Sequence, residues 1–509
     1  MKAVTTQQME ALDQGSIKKG IPGEVLMERA GAGAFDHIAN YCETQPVYHW
    51  THFLILTGKG NNAGDGFVIA RYLDESYGAE ISVFSACDPF ELKGDAERNF
   101  TRMDLDIYTD MHELDILLVP GTVIIDCLLG IGMKGPLREP YKTIIEKVNA
   151  AELPVFSIDI PSGLDADTGL ANDSAIVADC TITMGLPKTG LVLNDGPKYT
   201  GRLKLIDIGL VNELVEKQQT DFEITFESEI DENIKRIDNV VHKGTQGRIT
   251  CIGNSTHYTG ALILAAHAAL KCGSGLVTAA YPQSLRAYFH AVPNALIHLP
   301  LADSDTAILS LEAKEELFNH LSNQDIIAIG PGLGRDKSSL ELMAEILKSC
   351  KQPIVVDADA LDVLTIDSNA LNREALTVIT PHPGEFKRML KALKIKPTDS
   401  DLDDARTVAK RLDCILVLKG SRSIVVDPQG NTAYNSSGDP ALATAGSGDV
   451  LCGMIASFLH QIDDPFTAVK TAVFIHGYAG ELAKCKRSLI ADELLDLIPH
   501  ALRLLSPFA

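Results

Sequence analysis

The run Thr444-Ala445-Gly446-Ser447-Gly448-Asp449 joins small residues to a carboxylate and leads straight into the apolar stretch from Val450 to Leu459. Residues without bulk leave backbone N–H groups uncovered where a helix begins, and those groups attract phosphate. The aspartate stands where it can take a proton from a substrate hydroxyl. The combination implies phosphoryl chemistry. Four more segments in the second half place small residues after a short apolar run: Ile329-Gly330-Pro331-Gly332-Leu333-Gly334, Val356-Asp357-Ala358-Asp359-Ala360, Thr380-Pro381-His382-Pro383-Gly384-Glu385 and Lys419-Gly420-Ser421-Arg422-Ser423. Glycine and proline pack poorly in a core, so these read as loops at strand ends. No Gly-x-x-x-x-Gly-Lys-Ser/Thr occurs, which excludes a P-loop. His382, held between prolines, has a second role open to it: fixing its loop through a backbone hydrogen bond.

A separate set lies near the N-terminus. Gly58-Lys59-Gly60-Asn61-Asn62-Ala63-Gly64-Asp65-Gly66 sits between an expected strand and an expected helix, where backbone amides and a helix dipole bind a phosphate-bearing ligand. Its Gly-x-Gly-x-x-x-Gly spacing is one residue longer than the dinucleotide fingerprint. Val123-Ile124-Ile125-Asp126 runs into Gly130-Ile131-Gly132, and Phe156-Ser157-Ile158-Asp159 runs into Pro161-Ser162-Gly163. Strand ends on one edge would gather Asn62, Asp126, Asp159 and Ser162 in one crevice. Such hard oxygen ligands suit an alkali or alkaline-earth cation or a ribose hydroxyl. The plainer alternative is that each aspartate caps the following helix.

The elements that must position these residues alternate. Helical patterns cover Gln7 to Gly15 and Pro22 to Tyr41. Strands are expected at Phe53-Thr57, Glu80-Ser85, Ile116-Val119, Thr122-Cys127, Val155-Ile160 and Asp179-Met184, with helices from Gly66 to Tyr77 and Tyr141 to Ala150. Strand–helix alternation favours a mostly parallel sheet covered on both faces. Acidic residues crowd Val211 to Ile237, which reads as a connection holding at most one short strand at Phe222-Phe226. The alternation then resumes with Arg248-Ile252, Ala261-Cys272, Gly275-Ala280, Ile326-Ile329, Pro353-Val356, Thr377-Thr380, Ile415-Lys419 and Ser423-Val426.

At 509 residues the chain exceeds what one core usually holds, so two domains are expected. A formal charge of −23 argues against a nucleic-acid or acidic-membrane partner. No apolar run is long enough to span a bilayer, and no leader pattern opens the chain. Ten scattered cysteines without a Cys-x-x-Cys pair read as free thiols in a reducing cytoplasm. Paired α/β surfaces make a homo-oligomer the expectation, with the first two helices as contact or as internal packing.

The first constellation, Asn61 to Gly66 with Asp126 to Gly132 and Asp159 to Gly163, resembles the NAD(P)H-hydrate epimerase family. The second, with Thr-Pro-His-Pro-Gly-Glu and Gly-Ser-Gly-Asp, resembles the NAD(P)H-hydrate dehydratase branch of the ribokinase-like family over nearly all of Val241 to Leu505. The resemblance implies a Rossmann-like α/β/α domain at 1–212, a linker at 213–240 and a ribokinase-like α/β domain at 241–509. It implies epimerisation of the R and S forms of NADH hydrate and NADPH hydrate, followed by dehydration of the S form with ADP or ATP and release of phosphate.

By motif position, the resemblance places the hydrate against Asn61, Asn62, Ala63, Gly64 and Asp65, against Gly130, Ile131, Gly132, Met133, Lys134, Gly135 and Pro136, and against Asp159. Potassium would be held by Asn62, Asp126 and Ser162. In the dehydratase, Ala261, Gly332, His382 and Asp449 would line the hydrate site. Lys419, Gly420, Ser421, Arg422, Ser423 and Gly448 would hold the nucleotide with its Mg2+. Asp449 is the expected base. Asp159, with Lys188 as a weaker candidate, is expected to transfer the epimerase proton. Three departures stand out: Ala63 where the family often has glycine, Asp439 where asparagine is expected, and Arg422 where smaller residues are common. Two other functions fit the residues: a small-molecule kinase with a dinucleotide-sensing front domain, or an N-terminal protein-binding module without turnover.

Overall fold

The structure is a computed structural model describing residues 1–508 except 45–49, 77, 172, 238, 292–294 and 484–486. The chain divides into two compact units, Met1–Ile224 and Thr225–Ala509. In the first, a seven-stranded sheet runs in the order Ile107–Tyr108, Glu80–Ser85, His52–Thr57, Thr122–Cys127, Val155–Ile158, Cys180–Met184, Arg202–Ile206, with every pair parallel. His52–Thr57 and Thr122–Cys127 are buried along their whole length, as strands covered on both faces must be. One core lies under the helices Thr6–Lys18, Gly23–Thr44 and Asn61–Ser76, and the other under Tyr141–Ala151. Strand order reverses beside His52–Thr57, so the loops after it and after Thr122–Cys127 open a crevice at the carboxyl edge.

The second unit carries a ten-stranded sheet. Its order within the unit is Ile297–Leu301, Leu276–Pro282, Arg248–Ile252, Ile326–Ile329, Ile354–Val356, Thr377–Ile379, Ile415–Leu418, Ile424–Val426, Thr432–Asn435, and the tenth strand, Glu223–Thr225, straddles the boundary at Ile224. Pairing is parallel as far as Ile415–Leu418 and antiparallel through the next two strands. Gly330, Asp357, Thr380 and Lys419 therefore follow neighbouring parallel strands and share one edge. Helix Ser447–Gln461 crosses helix Ala261–Lys271 so closely that a Cβ on Gly453 would stand 1.9 Å from the Ala265 carbonyl oxygen, which only glycine permits.

Two expected elements differ. Ile116 to Val119 is not a strand: helix Met111–Leu117 takes its first half, capped by Asp110 on the His112 amide (2.9 Å) and by Glu113 on the Asp110 amide (3.1 Å). Ile116 is 73% exposed, so that short apolar run reports no buried strand. The helix expected from Gly66 begins at Asn61, and its last expected residue, Tyr77, lies outside the described residues. Its glycines serve close packing: a Cβ on Gly64 would stand 2.6 Å from Met27 Sδ, and one on Gly66 3.0 Å from Cys127. The acidic segment holds helices Asn212–Glu216 and Glu227–Asn233 as well as strand Glu223–Thr225. Among the described residues no helix is long and apolar enough to cross a membrane, and no disulfide joins the nine described cysteines.

Candidate active sites

A cavity of about 580 Å3 opens at the crevice of the first unit. Of the expected residues, Asn61, Asn62, Asp65, Gly130 to Met133 and Asp159 line it, joined by Lys188. Ala63, Gly64 and Lys134 to Pro136 do not. Ala63 is buried in the first turn of its helix, so glycine is not required there.

Asp126 is fully buried behind the cavity wall. It accepts from Ser157 Oγ (2.8 Å), Ser162 N (2.9 Å), Ser162 Oγ (2.6 Å) and Leu128 N (3.2 Å). Burial pushes its carboxyl up, and the bonds from Ser162, Ser157 and Leu128 oppose that push. Asn62 donates to the carbonyls of Leu129 (3.0 Å) and Ile158 (3.1 Å), which fixes its amide and leaves Oδ1 buried without a hydrogen-bond partner. Asn62, Asp126 and Ser162 thus form one cluster, as the strand ends implied.

Asp159 ends its strand in the left-handed region (φ 68°) and pairs with Lys188, which is 1% exposed. Lys188 also donates to the Met184 carbonyl (3.0 Å), while Asp159 Oδ1 accepts from the Met184 amide (3.2 Å) and Thr183 Oγ1 (3.3 Å). Burial pushes Asp65 well above the carboxylate range, with the Asp159 charge adding and Lys188 opposing.

In the second unit, Asp449 sits in the first turn of helix Ser447–Gln461, after Gly446 in the left-handed region (φ 89°). The helix start is held from behind by the buried His476, whose Nε2 donates to the Ser447 carbonyl (2.9 Å). Burial pushes Asp449 up to about 7, with the charges of Asp357, Asp359 and Glu385 adding and Lys419 opposing. Lys419 does not neutralise it because it is committed to Asp357 (2.8 Å), which also accepts from Thr380 Oγ1 (2.6 Å). The Lys419 amide donates to the Pro381 carbonyl (2.9 Å), tying the loop from Lys419 to Ser423 to the histidine loop.

His382 does fix its loop: Nδ1 accepts from the Gly384 amide (3.0 Å) while Glu385 accepts from the His382 amide (2.8 Å), and the ring stays half exposed. Gly332, at φ 66°, approaches helix Ala261–Lys271 so closely that a Cβ there would stand 3.1 Å from that of Ala261. The Arg422 guanidinium is buried on the Ser436 carbonyl, and Asp439 caps the Ala441 amide (3.0 Å) as asparagine would.

Residues 23–190 match the family model described as YjeF-related protein N-terminus, and residues 249–500 match that of NAD(P)H-hydrate dehydratase. A bifunctional NAD(P)H-hydrate repair enzyme from Moorella thermoacetica is 37% identical over 521 residues, covering 99% of this chain and 97% of its own. The chain belongs to the bifunctional NAD(P)H-hydrate repair enzymes. Another repair enzyme, from Salinibacter ruber, is 33% identical, with 98% and 95% covered. A ribokinase-like superfamily protein from Enterococcus faecalis superposes with a TM-score of 0.50 at 24% identity, covering 57% of this chain and 98% of its own, which shows the fold. This repair enzyme joins an NAD(P)H-hydrate epimerase to an NAD(P)H-hydrate dehydratase, and the kinase alternative is not favoured.

Sequence reasoning left Asp357, His476 and Asp13 without a role. A strand-end position marked Asp357. Nothing marked His476, a mid-helix residue whose partner lies 29 positions away. Asp13 was absorbed into a helix pattern.

Proposed function

We propose that Asp449 is the base of the dehydratase and that the start of helix Ser447–Gln461 is its anion hole. Asp449 takes the proton of the hydroxyl on the hydrated ring carbon as that oxygen attacks the terminal phosphoryl group of ADP or ATP. The phosphate then leaves with the C–O electron pair, pushed by the ring nitrogen, and loss of a proton from the neighbouring carbon restores the reduced nicotinamide. The observation that carries this is the diversion of Lys419 onto Asp357, which leaves a buried carboxyl poised near 7 beside uncovered amides. Lys419 to Ser423 and Gly448 hold the nucleotide, with Ala261, Gly332 and His382 along the hydrate. Asp357, Asp359 and Glu385 concentrate negative charge around Asp449, but among the described residues no three such side chains form a metal-ligand set, so Mg2+ would be held chiefly by phosphate oxygens and water. Mg2+ carried in on nucleotide phosphates would offset charge on the transferring group.

In the epimerase, Asn61, Asn62, Asp65, Gly130 to Met133 and Asp159 hold the hydrate, and Asp159 takes part in proton transfer together with a second group. Asn62, Asp126 and Ser162 fit potassium, since Asn62 Oδ1 is a buried oxygen left without a hydrogen bond. The ion would supply fixed positive charge beside the ligand. A cytoplasmic homo-oligomer completes the proposal, supported by free thiols and by exposed Ile17 and Val25 on the first two helices. The test is recovery of NADH from mixed-epimer hydrate with Mg2+ and ADP or ATP. Recovery of both epimers by the wild type, lost in Asp449→Asn, supports it. Undiminished recovery in the variant refutes Asp449 as the base.

A further inference from the structure

Epimerisation needs a group that gives a proton to the departing hydroxyl and takes one back from incoming water. Asp159 is poorly placed to do this alone: one of its oxygens is already engaged by the Lys188 ammonium, the Met184 amide and the Thr183 hydroxyl. A carboxyl with no such engagement faces the same space. Asp13, on helix Thr6–Lys18, lines the cavity, and its Oδ1 is buried without a hydrogen-bond partner.

We propose that Asp13 is the acid–base residue of the epimerase site, giving the proton that expels the ring hydroxyl and recovering it when water adds to the opposite face. The inference rests on the epimerase reading of the first unit. In the forward step the proton moves from the Asp13 carboxyl to the hydroxyl oxygen, and the C–O bond breaks with its electron pair on that oxygen. Water leaves, and the ring nitrogen lone pair forms the C=N bond of a planar iminium. In the return step a water oxygen bonds the same carbon from the other face, the C=N pair returns to nitrogen, and the surplus proton passes to the Asp13 carboxylate. Nothing is oxidised or reduced, and the residue ends as it began.

The charged groups lining the cavity with Asp13 are Glu10, Lys59, Asp65, Asp95, Asp159 and Lys188. Burial holds Asp13 up at about 6, Lys188 pulls it down, and the charges of Asp159 and Glu10 push it up. A carboxyl there exchanges its proton near neutrality, and burial pushes the neighbouring Asp65 well above the ordinary carboxylate range.

The experiment follows epimer exchange by proton NMR in the full-length protein between pH 5.5 and 8.5, with spontaneous exchange subtracted. Wild-type exchange is expected to fall as pH rises through about 6, the loss of the acid form. Asp13→Asn is expected to lower exchange by roughly 100-fold with the limb gone, while KM for the hydrate changes by less than about threefold. Asp13→Glu, which keeps the group, should restore part of the rate together with a displaced limb, an outcome that a packing role for Asp13 would not give. Exchange by Asp13→Asn within about threefold of wild type overturns the proposal and leaves the epimerase reading intact, as does a wild-type limb that survives in the variant. Absence of exchange by the wild type overturns both.

Discussion

Each unit sets a buried lysine beside more than one carboxylate, and the two units commit that lysine differently. In the first, Lys188 pairs with Asp159, the strand-end residue that lines the cavity. In the second, Lys419 pairs with Asp357 and leaves Asp449 aside. In both units a carboxyl that the lysine does not hold is pushed up toward neutrality: Asp13, to about 6, in the first and Asp449, to about 7, in the second. A lysine can thus select which of several acids does proton chemistry without touching that acid.

The comparison breaks most sharply at Asp449. Asp449→Asn is expected to lower phosphate release from hydrate plus ADP or ATP by about 1,000-fold and to leave epimer exchange unchanged, both measured on one sample. Retained phosphate release would remove the second half of the comparison. A smaller effect is expected from Asp357→Asn. The lysine loses its counterion, and a charge that pushes Asp449 up is removed, so the Asp449 pKa falls. The base form is the active one, so dehydration by the wild type should rise with pH through about 7, and in the variant this rise should move to lower pH with kcat reduced about tenfold. A pH profile that stays in place would show that Asp357 has no hold on the base.

His476→Gln tests the scaffold behind Asp449. Burial holds His476 down at about 4, so the ring is neutral while it supports the Ser447 carbonyl. Its folded pKa lies below the unfolded value of 6.5, so its contribution to stability is present above about 6.5 and is lost as pH falls toward about 4. The thermal midpoint of the wild type should drop across that window and that of the variant less steeply. The variant should lose about 1–3 kcal/mol at neutral pH if Ser447 is left without its donor. The smallest effect is expected at Ala63. Ala63→Gly should cost about 0.5–1 kcal/mol of stability, read by urea unfolding, with epimer exchange unchanged, because the residue faces the core of its helix and not the ligand.

What was legible in the sequence follows from distance along the chain. Gly446 to Asp449 could be read because small residues, helix start and carboxylate are consecutive. Asp126, Asp159 and Ser162 could be read because a parallel sheet puts successive strand ends on one edge. The Lys419–Asp357 pair spans 62 positions, and sequence offers no means of telling which carboxylate the lysine will meet. Asp13 belongs to an amphipathic helix whose period explains it as surface or core, and only the fold sets it against Lys188 and Asp159. Ile116 to Val119 misled because a short apolar run can sit exposed in a capped helix as readily as buried in a sheet.

The most direct test of a separate proton-carrying carboxyl in each unit is complementation between two full-length variants on mixed-epimer NADH hydrate with Mg2+ and ATP. Asp13→Asn alone should recover only the S epimer beyond the spontaneous rate, Asp449→Asn alone should recover none, and a mixture of the two should recover both. Recovery of both epimers at the wild-type rate by either variant alone would contradict it.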